Sequence, residues 1–162
     1  MVDLSQRGRD RRAELNGALE ALHFAFRAVT SEPDEVLAER GLSRVHHRIL
    51  YFIAKTPELR VSELIATLGV TKQAMNAPLR SLTERGLVAQ SVDPADRRGK
   101  RLRLTHAGHA LERQLSGHQR ELFARAFRRA GKHREEAWFR VMALLAESNL
   151  AAATDAAAPR RR

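Results

Sequence analysis

Apolar residues near the start of the chain recur at intervals of three and four positions. They are Leu15, Leu19, Leu22, Phe26 and Val29. This narrow stripe predicts a helix over residues 13–30 that packs on another helix, within the chain or across a dimer. Residues 1–12 are polar and basic and are expected to fray. A proline at position 33 predicts that the helix breaks over residues 31–34.

Two shorter helices are expected to follow this break. The first passes through Val36 and Leu37 and is closed by Gly41. The second is capped by Ser43, and Pro57 prevents its continuation because proline lacks the amide hydrogen that a helix interior needs.

The middle of the chain carries the pattern of two short helices joined by a tight turn. Ser62 is expected to cap the first of them and Gly69 to end it, since a left-handed residue is favoured there. Thr71 is expected to cap the second, which stops at residues 85–86. Its apolar side chains fall on one face, and they are Met75, Leu79 and Leu82. Together these elements predict a helix-turn-helix.

The hydrophobic period changes after this motif. Residues 87–92 read as a strand, residues 93–99 form a charged turn, and residues 100–104 alternate basic and apolar side chains. We therefore predict a β-hairpin. Thr105 is then expected to cap a long helix that ends near Gly131.

A last helix carries Trp138, Val141, Leu144 and Leu145, and a low-complexity tail at 154–162 is expected to be disordered. The predicted fold class is mainly α with a small β-hairpin (α+β).

Composition and charge limit the classes of partner that the protein can be expected to bind. The formal net charge is +10, and residues 60–104 hold nine basic and four acidic side chains, which favours a polyanion. The chain has no cysteine, which excludes disulfides and thiolate metal sites. No signal-like or membrane-spanning apolar run is found, so we expect a cytoplasmic protein without a membrane partner.

The segment from Leu42 to Leu115 resembles the MarR family. The resemblance is carried by VSELIATLGVTKQ at 61–73, SLTERGLV at 81–88 and DPADRRGKRLRLTHAGHA at 93–110. The most specific piece is the Asp-x-Arg at 96–98, followed by a basic strand and Leu-Thr.

The resemblance implies a single domain over 1–162, with a winged helix-turn-helix DNA-binding lobe at 43–104. Residues 13–30 and 106–153 would be dimerisation helices. The implied function is a sequence-specific transcription regulator, a ligand-responsive repressor that binds double-stranded DNA as a homodimer on a near-palindromic operator.

Candidate DNA contacts fall on the second helix of the motif and on the hairpin. They are Thr71, Lys72, Gln73, Asn76, Arg80, Asp96, Arg97, Arg98, Lys100 and Arg101. Asn and Gln side chains can pair with adenine, and Lys and Arg side chains with guanine, in the major groove. The resemblance implies that Arg98 enters a minor groove while Asp96 braces it, because a narrow minor groove concentrates negative potential.

The chain departs from the family pattern in the middle of this helix. The family usually has Thr-Arg where Asn76 and Ala77 stand, and Pro78 follows. The usual arginine is therefore missing, and Pro78 is expected to bend the helix.

The resemblance also implies a small-molecule pocket beside the DNA-binding lobe. Candidate lining residues are His23, Phe26, His47 and Tyr51, for which ordinary packing is the alternative interpretation. The implied effector is a small aromatic or phenolic acid, and no cofactor is expected. Histidine pairs at 46–47 and 106/109 match no strong metal signature, so no metal site is predicted.

Three other functions stay open at this point. A nucleoid-type protein that coats DNA without sequence preference would also be basic. A zinc-responsive regulator of the same fold, or a winged helix that binds protein, would also share the pattern. An enzyme is not expected, because we find no phosphate-binding loop, nucleophile elbow or acid–base pair.

Overall fold

Six helices and three short strands make up the parts of the chain that the computed structural model describes, residues 4–94, 96 and 99–157. In chain order they are α1 (Leu4–Glu39), α2 (Arg44–Lys55), β1 (Leu59–Arg60), α3 (Val61–Leu68), α4 (Lys72–Glu84), β2 (Val88–Val92), β3 (Lys100–Leu104), α5 (His106–Ala130) and α6 (Lys132–Ala157). Side chains are described for 10–94, 96 and 99–147. The predicted fold class, mainly α with a small hairpin, is confirmed. The chain divides into two compact units, Met1–Arg120 and Glu121–Arg162.

The hairpin is part of a three-stranded antiparallel sheet in the order β1-β3-β2. Strands β2 and β3 pair from Val88↔Leu104 to Val92↔Lys100, as the alternating pattern predicts. Strand β1 pairs with β3 through Leu59↔Leu102 and Arg60↔Arg101. Two residues are too few to show a period, which is why the sequence did not predict β1.

The core of the first unit lies where the helix-turn-helix packs against α2 and β3. Its fully buried side chains include Ile49, Leu50, Ile53, Leu64, Met75, Leu82, Leu102 and Leu115. The predicted inner face of α4 is confirmed, because Met75, Leu79 and Leu82 are all buried. Burial of this row directs the opposite face of α4 to solvent.

The predicted break in the first helix is wrong. Helix α1 begins at Leu4, within the segment expected to fray, and continues through a buried Pro33 to Glu39. Pro33 cannot donate to the carbonyl of Val29, the residue one turn earlier. The amide Nε2 of Gln119 on α5 donates to that carbonyl instead, at 3.1 Å. The proline therefore leaves no unsatisfied acceptor, and the helix does not end there.

The separate short helix predicted through Val36 and Leu37 is accordingly the last turn of α1. Gly41 follows it with φ +59°, a conformation that side chains rarely adopt, and its amide donates to the carbonyl of Ala38 at 3.0 Å. The expected closure at Gly41 is confirmed.

The predicted helix caps are confirmed at three positions and wrong at one. Ser43 and Thr71 precede α2 and α4 in extended conformations, and Thr105 Oγ1 accepts from Gly108 N at 3.0 Å at the start of α5. Ser62 is not the cap of α3, because the helix begins at Val61 and Arg60 occupies the cap position. There the amide of Arg60 donates to Glu63 Oε2 at 2.9 Å, so the chain turns into the helix directly from β1.

The hairpin meets α5 in a close backbone contact. Thr105 Oγ1 donates to the carbonyl of Gly86 at 2.6 Å, and Thr105 N donates to that of Leu87 at 3.1 Å. Gly108 lies against the same segment, where a Cβ would overlap the carbonyl oxygen of Leu87 and come within 3.0 Å of its carbon. Only glycine allows α5 to approach the strand this closely.

In the second unit, the end of α5 and the start of α6 are joined at Gly131, which has φ +87°. An aromatic cluster of Phe123, Phe127, Trp138 and Phe139 has neighbouring ring centroids 5.0–5.8 Å apart. Helix α6 runs to Ala157 and so includes the first four residues of the tail predicted to be disordered, because alanine has the highest helix propensity. Residues 158–162 lie outside the described range.

Candidate nucleic-acid interface

The outer face of α4 is polar and open to solvent. Lys72, Gln73, Asn76 and Arg80 are all exposed. Thr71 Oγ1 accepts from Ala74 N at 3.1 Å, so its own hydroxyl hydrogen remains available to donate. The helix is continuous through Pro78. A row of side chains that can pair with bases is therefore presented along about two turns of helix.

This face forms one wall of a cleft of about 960 Å³, here called the recognition cleft. The start of α3 and the hairpin complete its walls. Its lining comprises Arg60, Val61, Ser62, Ile65, Lys72, Asn76, Leu79, Arg80, Thr83, Glu84, Gln90, Asp93, Asp96, Gly99 and Lys100.

Five of the residues predicted to contact DNA line the recognition cleft: Lys72, Asn76, Arg80, Asp96 and Lys100. Thr71 and Gln73 are exposed but outside it. Arg101 is directed to Asp93, with Nη2 3.1 Å from Oδ1. Arg97 and Arg98 lie outside the described residues. The structure thus brings residues of α4 and the hairpin, distant in sequence, to one surface.

Two residues of this surface were missed in the sequence. The carboxylate of Asp93 is fully buried, and its Oδ2 lies 2.6 Å from Arg60 Nε. Aspartate before proline in a charged turn normally indicates solvent exposure, and Arg60 lies in a strand that is too short to recognise. The available signal was a turn that carries two aspartates, Asp93 and Asp96, beside several basic residues, and this pattern does not specify which side chains pair.

The hairpin is also joined to α4 by neutral hydrogen bonds. Gln90 Nε2 donates to Thr83 Oγ1 at 2.9 Å, and Thr83 Oγ1 donates to the carbonyl of Leu79 at 2.9 Å. Two side chains at the floor of the cleft therefore set the hairpin beside the helix.

The cationic side chains at the mouth of the cleft are well placed for phosphates. Lys72 and Lys100 are exposed on opposite walls, and Arg80 has only a 3.8 Å ion pair with Glu84 in which both side chains are solvent-exposed. Such a pair contributes little energy and is readily exchanged for a phosphate. The surface can hold a polyanion while amide side chains face base edges.

The four residues suggested for an effector pocket contact different partners. His23 stacks edge-on with Phe24 and Tyr51 with Phe52, with centroids 5.4 and 5.2 Å apart. The Arg44 guanidinium lies 4.9 Å from the centroid of the Phe26 ring, and His47 Nε2 lies 3.0 Å from Ser116 Oγ. None of the four lines the recognition cleft.

Titratable groups in this region are perturbed by burial and by ion pairing. Hydrogen bonds from Arg44, which also reaches Thr30, lower the pKa of Asp34. Burial lowers the pKa of His47, although the charges of Glu112 and Asp34 act in the opposite direction. Neutral His47 is thus favoured in the folded protein.

Within the part of the chain that the structure describes, no cluster of three or more His, Asp or Glu side chains is arranged to hold a metal ion. No helix there has both the length and the apolarity to cross a bilayer.

Known transcriptional regulators are similar to this chain in sequence. A family model of the MarR family matches residues 40–99. The chain is 44% identical over 118 residues to the HTH-type transcriptional regulator PetP of Rhodobacter capsulatus, a match that covers 73% of this chain and 71% of PetP. It is 32% identical over 98 residues to an HTH-type transcriptional repressor of Mycobacterium tuberculosis, covering 60% and 70% of the two chains.

Solved structures of low sequence identity share the fold. A MarR protein from Peptoclostridium difficile has a TM-score of 0.71 at 19% identity, covering 86% of this chain and 91% of that one. A MepR mutant from S. aureus bound to an oligodeoxyribonucleotide has a TM-score of 0.57 at 16% identity, covering 81% and 96%. NadR in complex with 4-hydroxyphenylacetate has a TM-score of 0.65 at 22% identity, covering 78% and 88%.

The resemblance carried by the helix-turn-helix and hairpin motifs is thereby confirmed. The match to PetP extends over more than two thirds of both chains, and the winged helix is present in the structure. The chain belongs to the MarR family of winged helix-turn-helix transcriptional regulators, which are DNA-binding proteins and not enzymes.

Proposed function

We propose that the protein is a ligand-responsive repressor that binds a near-palindromic operator as a homodimer. The observation that carries this proposal is the exposed polar face of α4, set across the recognition cleft from Lys100. Helix α4 would enter a major groove, with Lys72, Gln73 and Asn76 facing base edges and Arg80 and Lys100 facing phosphates. Arg98 would extend from the hairpin tip into a minor groove. The oligodeoxyribonucleotide bound to the MepR mutant, which shares this fold, supports DNA as the partner.

The homodimer is supported by apolar side chains that remain exposed in each unit. On α1, Leu15, Leu19 and Leu22 are 50%, 68% and 50% exposed. On α6, the exposed apolar side chains include Trp138, Phe139, Val141 and Leu145. Rows of this length on long helices are typical of interfaces, because leaving them in water is unfavourable. A two-fold axis would set two copies of α4 about 34 Å apart, one turn of DNA.

The effector is supported by a polar network among α1, α2 and α5. Asp34, Arg44 and Thr30 hydrogen-bond to one another, and His47 contacts Ser116. A small aromatic or phenolic acid could exchange for the carboxylate of Asp34 beside Arg44 and Phe26. The 4-hydroxyphenylacetate held by NadR is a ligand of this class. A ligand could bind more tightly to a dimer geometry in which the two DNA-binding lobes do not match the operator. Such a ligand would lower DNA affinity by at most the ratio of its affinities for the two geometries.

The test is a fluorescence-anisotropy titration of the full chain against duplexes from its own upstream region and against scrambled duplexes, over a salt series. We expect the native duplex to bind tighter by about 10³-fold or more, with two chains per site. Arg98→Ala should weaken operator binding with unchanged folding. Equal binding of both duplexes, lost steeply with salt, would favour the coating protein.

The effector is tested by repeating the titration with a panel of aromatic and phenolic acids. One class should lower operator affinity about 5- to 150-fold, the usual range of allosteric coupling. Operator affinity that is unchanged across a broad panel would contradict the ligand response while leaving the DNA-binding proposal in place.

A further inference from the structure

The buried carboxylate of Asp93 lies where the hairpin tip begins. Its side chain has no solvent exposure, and both oxygens face guanidinium groups. Oδ2 lies 2.6 Å from Arg60 Nε, and Oδ1 lies 3.1 Å from Arg101 Nη2. The amide of Asp93 donates to the carbonyl of Gly99 at 3.0 Å, which closes the turn. Asp93 thus contacts Arg60, Arg101 and Gly99.

These contacts join elements that the backbone would otherwise leave independent. Arg60 and Arg101 are paired residues on β1 and β3, and Asp93 follows the last residue of β2. Arg60 is also the N-cap residue of α3. The Asp93 carboxylate therefore links the hairpin tip to the start of the helix-turn-helix, along the floor of the recognition cleft.

The charges make this link sensitive to the loss of the carboxylate. Two guanidinium groups from adjacent positions of neighbouring strands repel each other unless a negative charge lies between them. That repulsion is greater in a partly buried site than in water, because the effective dielectric constant is lower. A buried ion pair that loses one partner leaves an uncompensated charge, so neutralising Asp93 should drive the tip away from Arg60.

We propose that Asp93 is a positioning residue for DNA recognition: it sets the distance between the hairpin tip and α4, and hence which bases the tip can read. This inference rests on the proposed function, because the spacing matters only if both elements contact one duplex. Asp93 itself contacts no DNA. Its effect is exerted through the placement of Lys100 and of the hairpin strand that carries it.

The DNA test compares Asp93→Asn with Glu84→Gln, which makes the same change in charge on the same cleft without touching the Asp93 cluster. For Asp93→Asn we expect the ratio of operator to scrambled-duplex affinity to fall about tenfold, with scrambled-duplex affinity kept or increased because the net charge rises. For Glu84→Gln that ratio should change much less. An equal fall in both variants would show a charge effect only and overturn the proposal.

Base substitutions in the operator separate positioning from loss of folded protein. With Asp93→Asn, discrimination should be lost at the outer positions read by the hairpin and kept at those read by α4. A loss of active protein lowers binding to every duplex alike and leaves relative discrimination unchanged. That second pattern would contradict the positioning role.

Hydrogen–deuterium exchange in the absence of DNA tests whether Asp93 holds the hairpin, independently of any DNA-binding measurement. In Asp93→Asn, amides of β2 and β3 should exchange faster while those of α2 keep their protection. If Asp93→Asn fails to fold, Arg60→Gln serves as a second variant, because the Arg60 side chain is partly exposed. Arg60→Gln should speed exchange in the same strands. Unchanged exchange in the hairpin refutes the link, even if the wild-type protein shows no operator preference and the proposed function itself has failed.

Discussion

Replacing Gly108 with alanine tests the close contact between α5 and the hairpin. Alanine in a helix interior is ordinarily favoured over glycine by about 0.8–1.0 kcal/mol. At position 108 the added Cβ would overlap the carbonyl oxygen of Leu87, come within 3.0 Å of its carbon and within 3.4 Å of Leu104 Cβ. The carbonyl cannot rotate away freely, because it accepts the amide hydrogen of Thr105.

The sign of the effect follows from comparing these two contributions. Overpacking that requires a backbone shift costs about 1–3 kcal/mol, and more where the shift breaks hydrogen bonds. Contact with a fixed carbonyl belongs at the upper end of that range. After the gain in helix propensity is subtracted, we expect Gly108→Ala to lower the free energy of unfolding by about 2 kcal/mol. For a chain of this length the melting temperature should fall by about 4–8 °C.

The assay is urea denaturation followed by circular dichroism, with Gly117→Ala as the matched control. Gly117 lies on the same helix, and a Cβ added there meets no atom within 4 Å. That variant should gain about 0.8–1.0 kcal/mol from helix propensity alone. If Gly108→Ala proves as stable as Gly117→Ala, the close approach of α5 to Leu87 does not exist in solution.

Three further predictions concern the cap of α4, a buried histidine and the exposed face of α1. Thr71→Ala should cost about 1 kcal/mol in urea denaturation whereas Thr71→Ser should be nearly neutral, and equal losses would exclude a capping role. Because burial lowers the pKa of His47 below its usual 6.5, the unfolded state binds more protons just below that pH. The free energy of unfolding should therefore rise with pH up to about 6.5 and then level off, and His47→Gln should flatten the rise; an unchanged pH profile would contradict this assignment. Leu19→Glu should shift the protein to monomers in sedimentation equilibrium, and a dimer of unchanged affinity would remove α1 from the proposed interface.

Much of the fold could be predicted because local patterns agreed with tertiary structure. The apolar row of α4 and the alternation in β3 each encode a face, and burial in the structure follows them. Caps at Ser43, Thr71 and Thr105 were predictable because small polar side chains complete the first turn of a helix. These signals lie within a few residues of the elements they define.

Features that depend on distant residues were not predictable. The continuity of α1 through Pro33 depends on Gln119, and the burial of Asp93 depends on arginines from two other strands. The contacts of the predicted DNA-binding residues stay predictions, and two of them, Arg97 and Arg98, lie outside the described structure. The sequence shows which side chains can contact DNA but not how the hairpin is held beside α4.

The bond from Gln119 to the carbonyl of Val29 joins residues ninety positions apart. During synthesis, α1 leaves the ribosome long before the segment that contains Gln119. Until α5 docks, the carbonyl at Val29 has only water as a donor, and the helix can bend freely at its proline. The first helix to be made is therefore among the last to become rigid. If the α1 face forms the proposed dimer interface, assembly through it would be delayed until the chain has been synthesised beyond α5.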